Sequence, residues 1–297
     1  MKFYIVTPTF NALDWLQRCV RSVADQSGNG IQVHHHVQDG GSTDGTAAWL
    51  AEWQQQNSGR NGYTLTFESG RDRGMYDAIN KAWDAMPADA DITAHLNSDE
   101  QYLPGAIAGV AAAAESAPGA DILLSSYFVV DAQNRYICHR WPTVPSPWLS
   151  RTVCEIITCC CFHRAGAFRR HGIRFGENWR SIGDLVFYSD IMNTGPRVHV
   201  MPGVFASAFA VTGNNLGWSE VTDREWARYR AGLPAWVLKT AALARLLCKF
   251  KRRLPDFFHS APRSYSLYAA TDSERTDYTI QHPTSHWGCR TEGEQMS

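Results

Sequence analysis

Three short stretches hold the side chains from which a reaction could be built: QDGGSTDGT at 38–46, ESGRDRGMYDAINKA at 68–82 and LNSDEQYLPG at 96–105. In the first, Asp39 precedes Gly40-Gly41, a pair that permits a tight turn and close backbone approach. A carboxylate there can accept hydrogen bonds from a uracil-type imide or a ribose hydroxyl, while Ser42, Thr43 or Asp44 can cap a following helix. In the second, Arg71 and Arg73 flank Asp72 in a glycine-bounded loop, where guanidinium groups suit a diphosphate. In the third, Asp99 offers the hard oxygen ligand that Mg²⁺ or Mn²⁺ prefers. Such a cation bridges a nucleotide diphosphate and offsets charge on the departing phosphate. Glu100 either adds a second carboxylate or points to solvent.

Each of these loops follows a segment with strand character. Phe3 to Val6, Ile31 to Val37, Tyr63 to Phe67 and Ile92 to Leu96 are short apolar runs rich in β-branched and aromatic residues. Helical spacing appears between them: Leu13, Leu16, Val20 and Val23 after an Asn11 cap, then Ala47 to Trp53, Tyr76 to Ala85 and Leu103 to Ala114. Alternation of this kind predicts a parallel sheet with helices on both faces, whose strand ends gather the loops along one edge. Beyond residue 120 the rhythm changes. Ile122 to Val130, Tyr136 to Trp141, Ile156 to Phe162, Arg197 to Val200 and Val204 to Val211 read as strands with mixed or antiparallel pairing.

The chain of 297 residues carries 28 Lys and Arg against 29 Asp and Glu, so no global field selects nucleic acid. The first turn lacks Gly-x-Gly-x-x-Gly and no Gly-Lys-Ser/Thr loop occurs, which disfavours a dehydrogenase or a P-loop NTPase. Eight cysteines without a C-x-x-C pair point to buried free thiols in a reducing compartment. No signal-like start and no apolar run of spanning length predict a cytoplasmic chain, at most peripheral on the inner membrane. His34-His35-His36 invites a metal reading, but alternation sends the middle ring to the other face of a strand. Trp179 and Trp218 could stack on a sugar, and His163 could border an acceptor pocket; packing serves equally for all three.

Together the residues resemble the inverting family 2 of glycosyltransferases. The likeness runs through VTPTFNALDWLQRCVRSV, QDGGSTDGT, ESGRDRGMYDAINKA and LNSDEQYLPGAI, and more loosely through GDLVFYSDIMNTG and VFASAFAVTGNNLGWS. It implies a GT-A (Rossmann-like) α/β fold over residues 1–218, with a mixed, mostly parallel sheet flanked by helices and a C-terminal helical extension over 219–297. By the resemblance, Pro8, Thr9 and Asp39 help hold the nucleotide base and ribose, and Arg71 and Arg73 lie near the nucleotide. The family's Asp-x-Asp motif falls on Asn97-Ser98-Asp99: Asp99 keeps the metal position, and Asn97 in place of the first acid can still meet a ribose hydroxyl. Asp184 occupies the place of the catalytic base, with Asp190 as a rival; read alone, Asp184 is as well a helix cap before Leu185-Val186-Phe187.

The implied function is transfer of a sugar, with inversion, from a nucleotide donor, UDP-linked by expectation, to a saccharide or lipid-linked acceptor in bacterial surface-polysaccharide assembly, assisted by Mn²⁺ or Mg²⁺. The competing readings are a noncatalytic nucleotide-sugar-binding protein, favoured by Asn97, and a sugar-1-phosphate nucleotidyltransferase, disfavoured because TPTFNALD lacks a glycine-rich basic loop. In the extension, Trp236, Leu243, Leu247, Phe250 and Leu254 fall on one helical face, largely opposite Arg245, Lys249, Arg252 and Arg253. Such a helix either rests on an anionic membrane or packs on its own domain.

Overall fold

In the computed structural model the described residues are 1–213, 220–253, 261–269 and 273–286. The first half follows from its apolar runs. β1 (Lys2–Thr9) is buried from Phe3 onward on both faces, as an interior strand of a parallel sheet must be. It pairs in parallel with β2 (Gln32–Asp39) and β4 (Ile92–His95), and β2 pairs in parallel with β3 (Tyr63–Ser69). The helices between them are α1 (Leu13–Ala24), α2 (Thr46–Asn57) and α3 (Met75–Asp84). On α1 the buried Leu16, Cys19, Val20 and Val23 form the stripe that covers the sheet. His35 meets Thr7 (2.9 Å) and Tyr63 (3.3 Å), whereas His34 and His36 both reach Thr66 on the opposite face, so the triplet forms no common site.

The sheet continues as β3-β2-β1-β4-β8-β6-β9-β5, with β7 off β6. Here β5 is Glu100–Tyr102, β6 Ile122–Asp131, β7 Tyr136–Arg140, β8 Cys161–Arg164 and β9 Val198–Val211. Pairing is parallel between β6 and β9 but antiparallel at β4·β8, β6·β8, β6·β7 and β5·β9, so the sheet is mixed. α4 (Ala106–Ser116), α5 (Ala165–His171) and α6 (Gly183–Asn193) complete this part.

Two sequence expectations are corrected. The strand expected over Ile156 to Phe162 is a 3-10 turn at Thr158–Cys160, and only then β8, because the Cys160 amide turns back to the Ile157 carbonyl at 3.3 Å. The two strands expected at 197–200 and 204–211 are one strand, β9, whose register against β6 shifts near Ser125 and Ser126. Pro202 lacks the N–H for the ladder there, so the strand bends rather than ends.

The chain beyond residue 219 is more than helical. α7 (Glu220–Ala231) and α8 (Ala235–Arg253) are followed by an antiparallel hairpin, β10 (Arg263–Tyr268) and β11 (Arg275–Ile280), in a region whose sequence predicts no element. Tyr265, Leu267 and Ile280 enter a core cluster with Leu103, Phe128, Val130, Ala208 and Ala210. Gln101 holds Tyr268 through both its amide groups (2.8 and 3.1 Å), and Arg275 pairs with Asp25 at 2.7 Å. The boundary expected at 218/219, Trp218 and Leu254 lie outside the described residues.

Candidate active site

The register places the loops together. Thr9 stands opposite Asp39, Asp39 opposite Ser69, and Val6 opposite His95, all in parallel pairs. The chain therefore leaves β1, β2, β3 and β4 along one edge, where open α/β sheets bind ligands. A cleft of about 1540 Å³ opens there, lined by Pro8, Thr9, Gly40, Gly41, Arg71, Arg73, Asn97, Ser98, Asp99 and Asp184 among others. Of the residues that the resemblance assigns to the nucleotide, the metal and the base, the structure brings all but Asp39 to the cleft surface.

Asp39 is fully buried one layer below. Its carboxylate accepts the Ser42 amide (3.1 and 3.2 Å), the Ser42 hydroxyl (2.5 Å) and the Ser69 hydroxyl (2.5 Å), tying the loop after β2 to the end of β3. The loops after β1 and β2 are joined as well. Asn11, expected to cap α1, adopts φ 47° and accepts the Thr43 amide at 2.8 Å. Asp44 supplies the cap instead, accepting Leu13 N at 3.0 Å and Thr46 N at 3.1 Å. Gly40 fits because a Cβ there would stand 2.9 Å from the Asp72 carboxylate and 3.2 Å from the Phe10 ring. Phe10 itself, missed in the sequence, is 63% exposed on the cleft wall, and the buried Thr9 hydroxyl has no partner among the described residues.

The two arginines of the β3–α3 loop differ. Arg73 is committed to carboxylates: Asp77 at 2.8 Å and Glu177 through two bonds of 2.6 and 2.7 Å. Arg71 faces the cleft with no ion-pair partner among the described residues. Arg180, which no sequence signal singled out, is likewise exposed on the cleft without such a partner.

The Asn97-Ser98-Asp99 turn is fixed from below by Glu100. Its carboxylate accepts the Asn97 amide at 2.7 Å while the Glu100 amide donates to the Asn97 carbonyl at 3.0 Å. Glu100 is 1% exposed and points inward, contrary to both uses expected of it. Burial, with the Asp99 charge beside it, raises its carboxyl well above the usual range. Asp99 keeps an open face on the cleft, but the protein around it also raises its carboxyl, through desolvation. The buried Asn97 Oδ1 has no partner among the described residues. No cluster of three or more His, Cys, Asp or Glu suited to a metal occurs among the described residues. An Asp99 carboxylate and an Asn97 oxygen nonetheless fit the sparse protein shell that Mg²⁺-type ions use when phosphates complete it.

The wall carrying Asp184 is assembled from distant segments. Ile182 is the N-cap of α6 and Asp184 lies two residues on, in its first turn, so the cap reading is corrected by two residues. The Tyr76 hydroxyl donates to the Ser181 carbonyl (3.2 Å) and accepts the Asp184 amide (3.3 Å). From α7, the buried Glu225 carboxylate accepts three successive amides, Arg180 (2.7 Å), Ser181 (2.9 Å) and Ile182 (3.1 Å). That clamp fixes the approach to Asp184, and nothing in the local sequence of α7 announces it. Cys154 Sγ lies 3.7 Å from Asp184 Oδ2, and desolvation raises the Asp184 carboxyl. Asp190 is exposed on the far half of α6 and does not line the cleft. His163 is buried against Phe168, Phe187 and Tyr188, and Trp179 packs under Arg228 at 4.1 Å, so neither borders the cleft.

The glycosyl transferase family 2 model matches residues 4–172. An uncharacterized glycosyltransferase from each of two strains of Mycobacterium tuberculosis is 35% identical over 98 residues, 33% of this chain and 34% of the relative. The match thus spans about a third of those relatives. Among solved structures, residues 1–349 of S. aureus TarS with UDP-GlcNAc superpose with a TM-score of 0.60 at 18% identity, over 82% of this chain and 66% of that one. The Pyrobaculum calidifontis mannosyltransferase PcManGT with GDP-Man and Mn²⁺ gives 0.53 at 18%, over 86% and 77%. With more than half its length matched and the loops of its parallel strands converging on one cleft, the chain belongs to glycosyl transferase family 2 and has the GT-A fold.

Proposed function

We propose that residues 1–218 form a catalytic domain that transfers one sugar, with inversion, from a UDP-sugar to a saccharide or lipid-linked acceptor in bacterial surface-polysaccharide assembly. The observation that carries this is the convergence of Thr9, Arg71, Asn97 and Asp99 on one cleft with Asp184. Solved neighbours of the same fold, shown with UDP-GlcNAc and with GDP-Man and Mn²⁺, support a nucleotide-sugar donor and a divalent ion.

In this reading Pro8, Thr9 and the exposed Phe10 receive the base, with Asp39 reaching the base or ribose when the Ser42 hydroxyl yields to it. Asn97 and Ser98 meet the ribose. Arg71 and Arg180, which have no ion-pair partner among the described residues, take the diphosphate; Arg73 stays near the nucleotide while bracing the loop through Asp77 and Glu177. Asp99, with Asn97 beside it, would hold Mn²⁺ or Mg²⁺, which offsets charge on the departing diphosphate. Asp184 accepts the proton of the acceptor hydroxyl as that oxygen bonds to the anomeric carbon. The bond from that carbon to the diphosphate oxygen breaks on the opposite face, and the nucleoside diphosphate leaves.

Incubation with a panel of UDP- and GDP-sugars and Mn²⁺, followed by NMR of the product, tests the reading. Release of UDP with an inverted anomeric centre is the expected result. Release from neither series, or retention of configuration, overturns it.

A further inference from the structure

α8 is held to the protein by one face only. Val237, Ala244 and Cys248 are buried, and Thr240 accepts the Trp148 indole N–H at 2.9 Å. Its larger apolar side chains lie elsewhere. Trp236, Leu243, Leu247 and Phe250 recur at intervals of seven, four and three residues, so they share one side of the helix. They are 54, 51, 39 and 60% exposed, and Leu246, at 64%, widens the strip. Val144, 55% exposed, adjoins it, since its carbonyl accepts from Lys251 at 3.3 Å. A helix that merely covered its own domain would turn these residues inward and leave the small ones outside.

The charge of the same helix is one-sided. Its 19 residues include Lys239, Arg245, Lys249, Lys251, Arg252 and Arg253 but no Asp or Glu, in a chain whose net charge is -1. Lys239, Arg245 and Lys249 are exposed. A helix with an apolar strip on one side and cations largely on the other is complementary to a surface that is apolar beneath and anionic on top. No helix among the described residues is long and apolar enough to cross a membrane, so contact would be in the interface plane.

We infer that the Trp236–Phe250 strip of α8 is a docking face for an anionic lipid bilayer. The strip enters the boundary between headgroups and acyl chains, and the cations reach lipid phosphates. The helix leans on Trp148, and the adjoining turn Leu149–Arg151 runs on to Cys154 beside Asp184. These contacts link α8 to the wall that carries Asp184, at which an acceptor hydroxyl would be met.

The test is co-sedimentation of the full chain with phosphatidylcholine vesicles, with and without phosphatidylglycerol, alongside size-exclusion chromatography with light scattering. The wild type is expected to pellet with the anionic vesicles and to be released by salt. Leu243→Asp with Leu247→Asp, shown by thermal unfolding to retain the fold, should lose binding at least about tenfold; Arg245→Glu with Lys249→Glu should lose the anionic preference by a similar factor. Failure of the wild type to pellet, or equal pelleting by the Asp variant, overturns the inference. A wild-type dimer that the Asp variant converts to monomer overturns it too, because the strip would then cover a second copy. Neither donor nor acceptor enters the assay, so its failure leaves the transferase reading standing, and loss of transfer leaves docking standing.

Discussion

Asp184→Asn is expected to lower the turnover of sugar transfer by roughly 10²- to 10⁴-fold, the range general-base removal commonly gives, while donor affinity is unchanged. The substitution keeps the shape and can keep the amide contact at the head of α6, since Asp184 lies in the first helical turn and its own N–H reaches Tyr76. What it removes is the acceptor for the proton. Folding provides an internal control. Burial raises the Asp184 carboxyl, so the folded chain holds that proton more tightly than the unfolded one. Its stabilising contribution is present below the unfolded value and is lost as pH rises through the folded one. At neutral pH the Asn variant should therefore be no less stable than wild type, and thermal unfolding checks this. Activity runs the other way: the base works only when ionised, so the acid limb of kcat/KM should lie above the range of an exposed aspartate. An Asn variant with wild-type turnover would remove Asp184 from the chemistry.

Gly183→Ala should disturb the same wall by pure sterics. A Cβ at Gly183 would stand 2.3 Å from Tyr76 Cε2 and 2.6 Å from its Cζ. Away from the cleft it borders, the ring is closely packed. It stacks on Phe175 at 4.7 Å, and Phe175 stacks in turn on Phe187 (4.2 Å) and Trp83 (5.6 Å). Overpacking of this kind costs about 1–3 kcal/mol, and each kcal/mol lowers Tm by roughly 1.5–2 °C in a chain of this length. Because Tyr76 carries the Asp184 amide and the Ser181 carbonyl, its displacement should also lower kcat more than donor affinity. Denaturant unfolding and steady-state kinetics check both parts. Combining Tyr76→Leu with Gly183→Ala should restore part of the stability but not the activity. A Gly183→Ala enzyme with unchanged Tm and kcat would show that the wall yields freely.

The first half of the fold is legible in the sequence because its inner strands β1 and β4, and most of β2, are buried on both faces and its helices on one, which writes apolar runs and helical stripes directly into the chain. Its loops are legible for a related reason: glycines, arginines and aspartates at strand ends have few packing uses. The second half is opaque because its elements are short or depend on distant partners. β5 has three residues and β8 four, too few for a periodicity. The β10–β11 hairpin hides three core residues among polar ones, and its anchors are remote: Gln101 lies 167 residues from Tyr268, and Asp25 lies 250 from Arg275. Within the site, sequence spacing places Asp99 and Arg71 on the cleft but says nothing of which charges are already taken. Arg73 is engaged by Glu177, and Glu100 by the Asn97 backbone. Arg180 and its Glu225 clamp can be read from three-dimensional proximity alone.

The most direct measurement is calorimetric titration of UDP and GDP into the protein with Mn²⁺ and with EDTA, for wild type and Asp99→Ala. Asp99 is desolvated with no cationic partner among the described residues, and a divalent cation beside it would favour its ionised form. UDP is expected to bind more tightly with Mn²⁺ than with EDTA and more tightly than GDP does, and Asp99→Ala is expected to remove the metal dependence while leaving a weak metal-free affinity through Thr9 and Arg71. Metal dependence that survives in Asp99→Ala, or absence of binding by both nucleotides in every condition, would contradict the expectation.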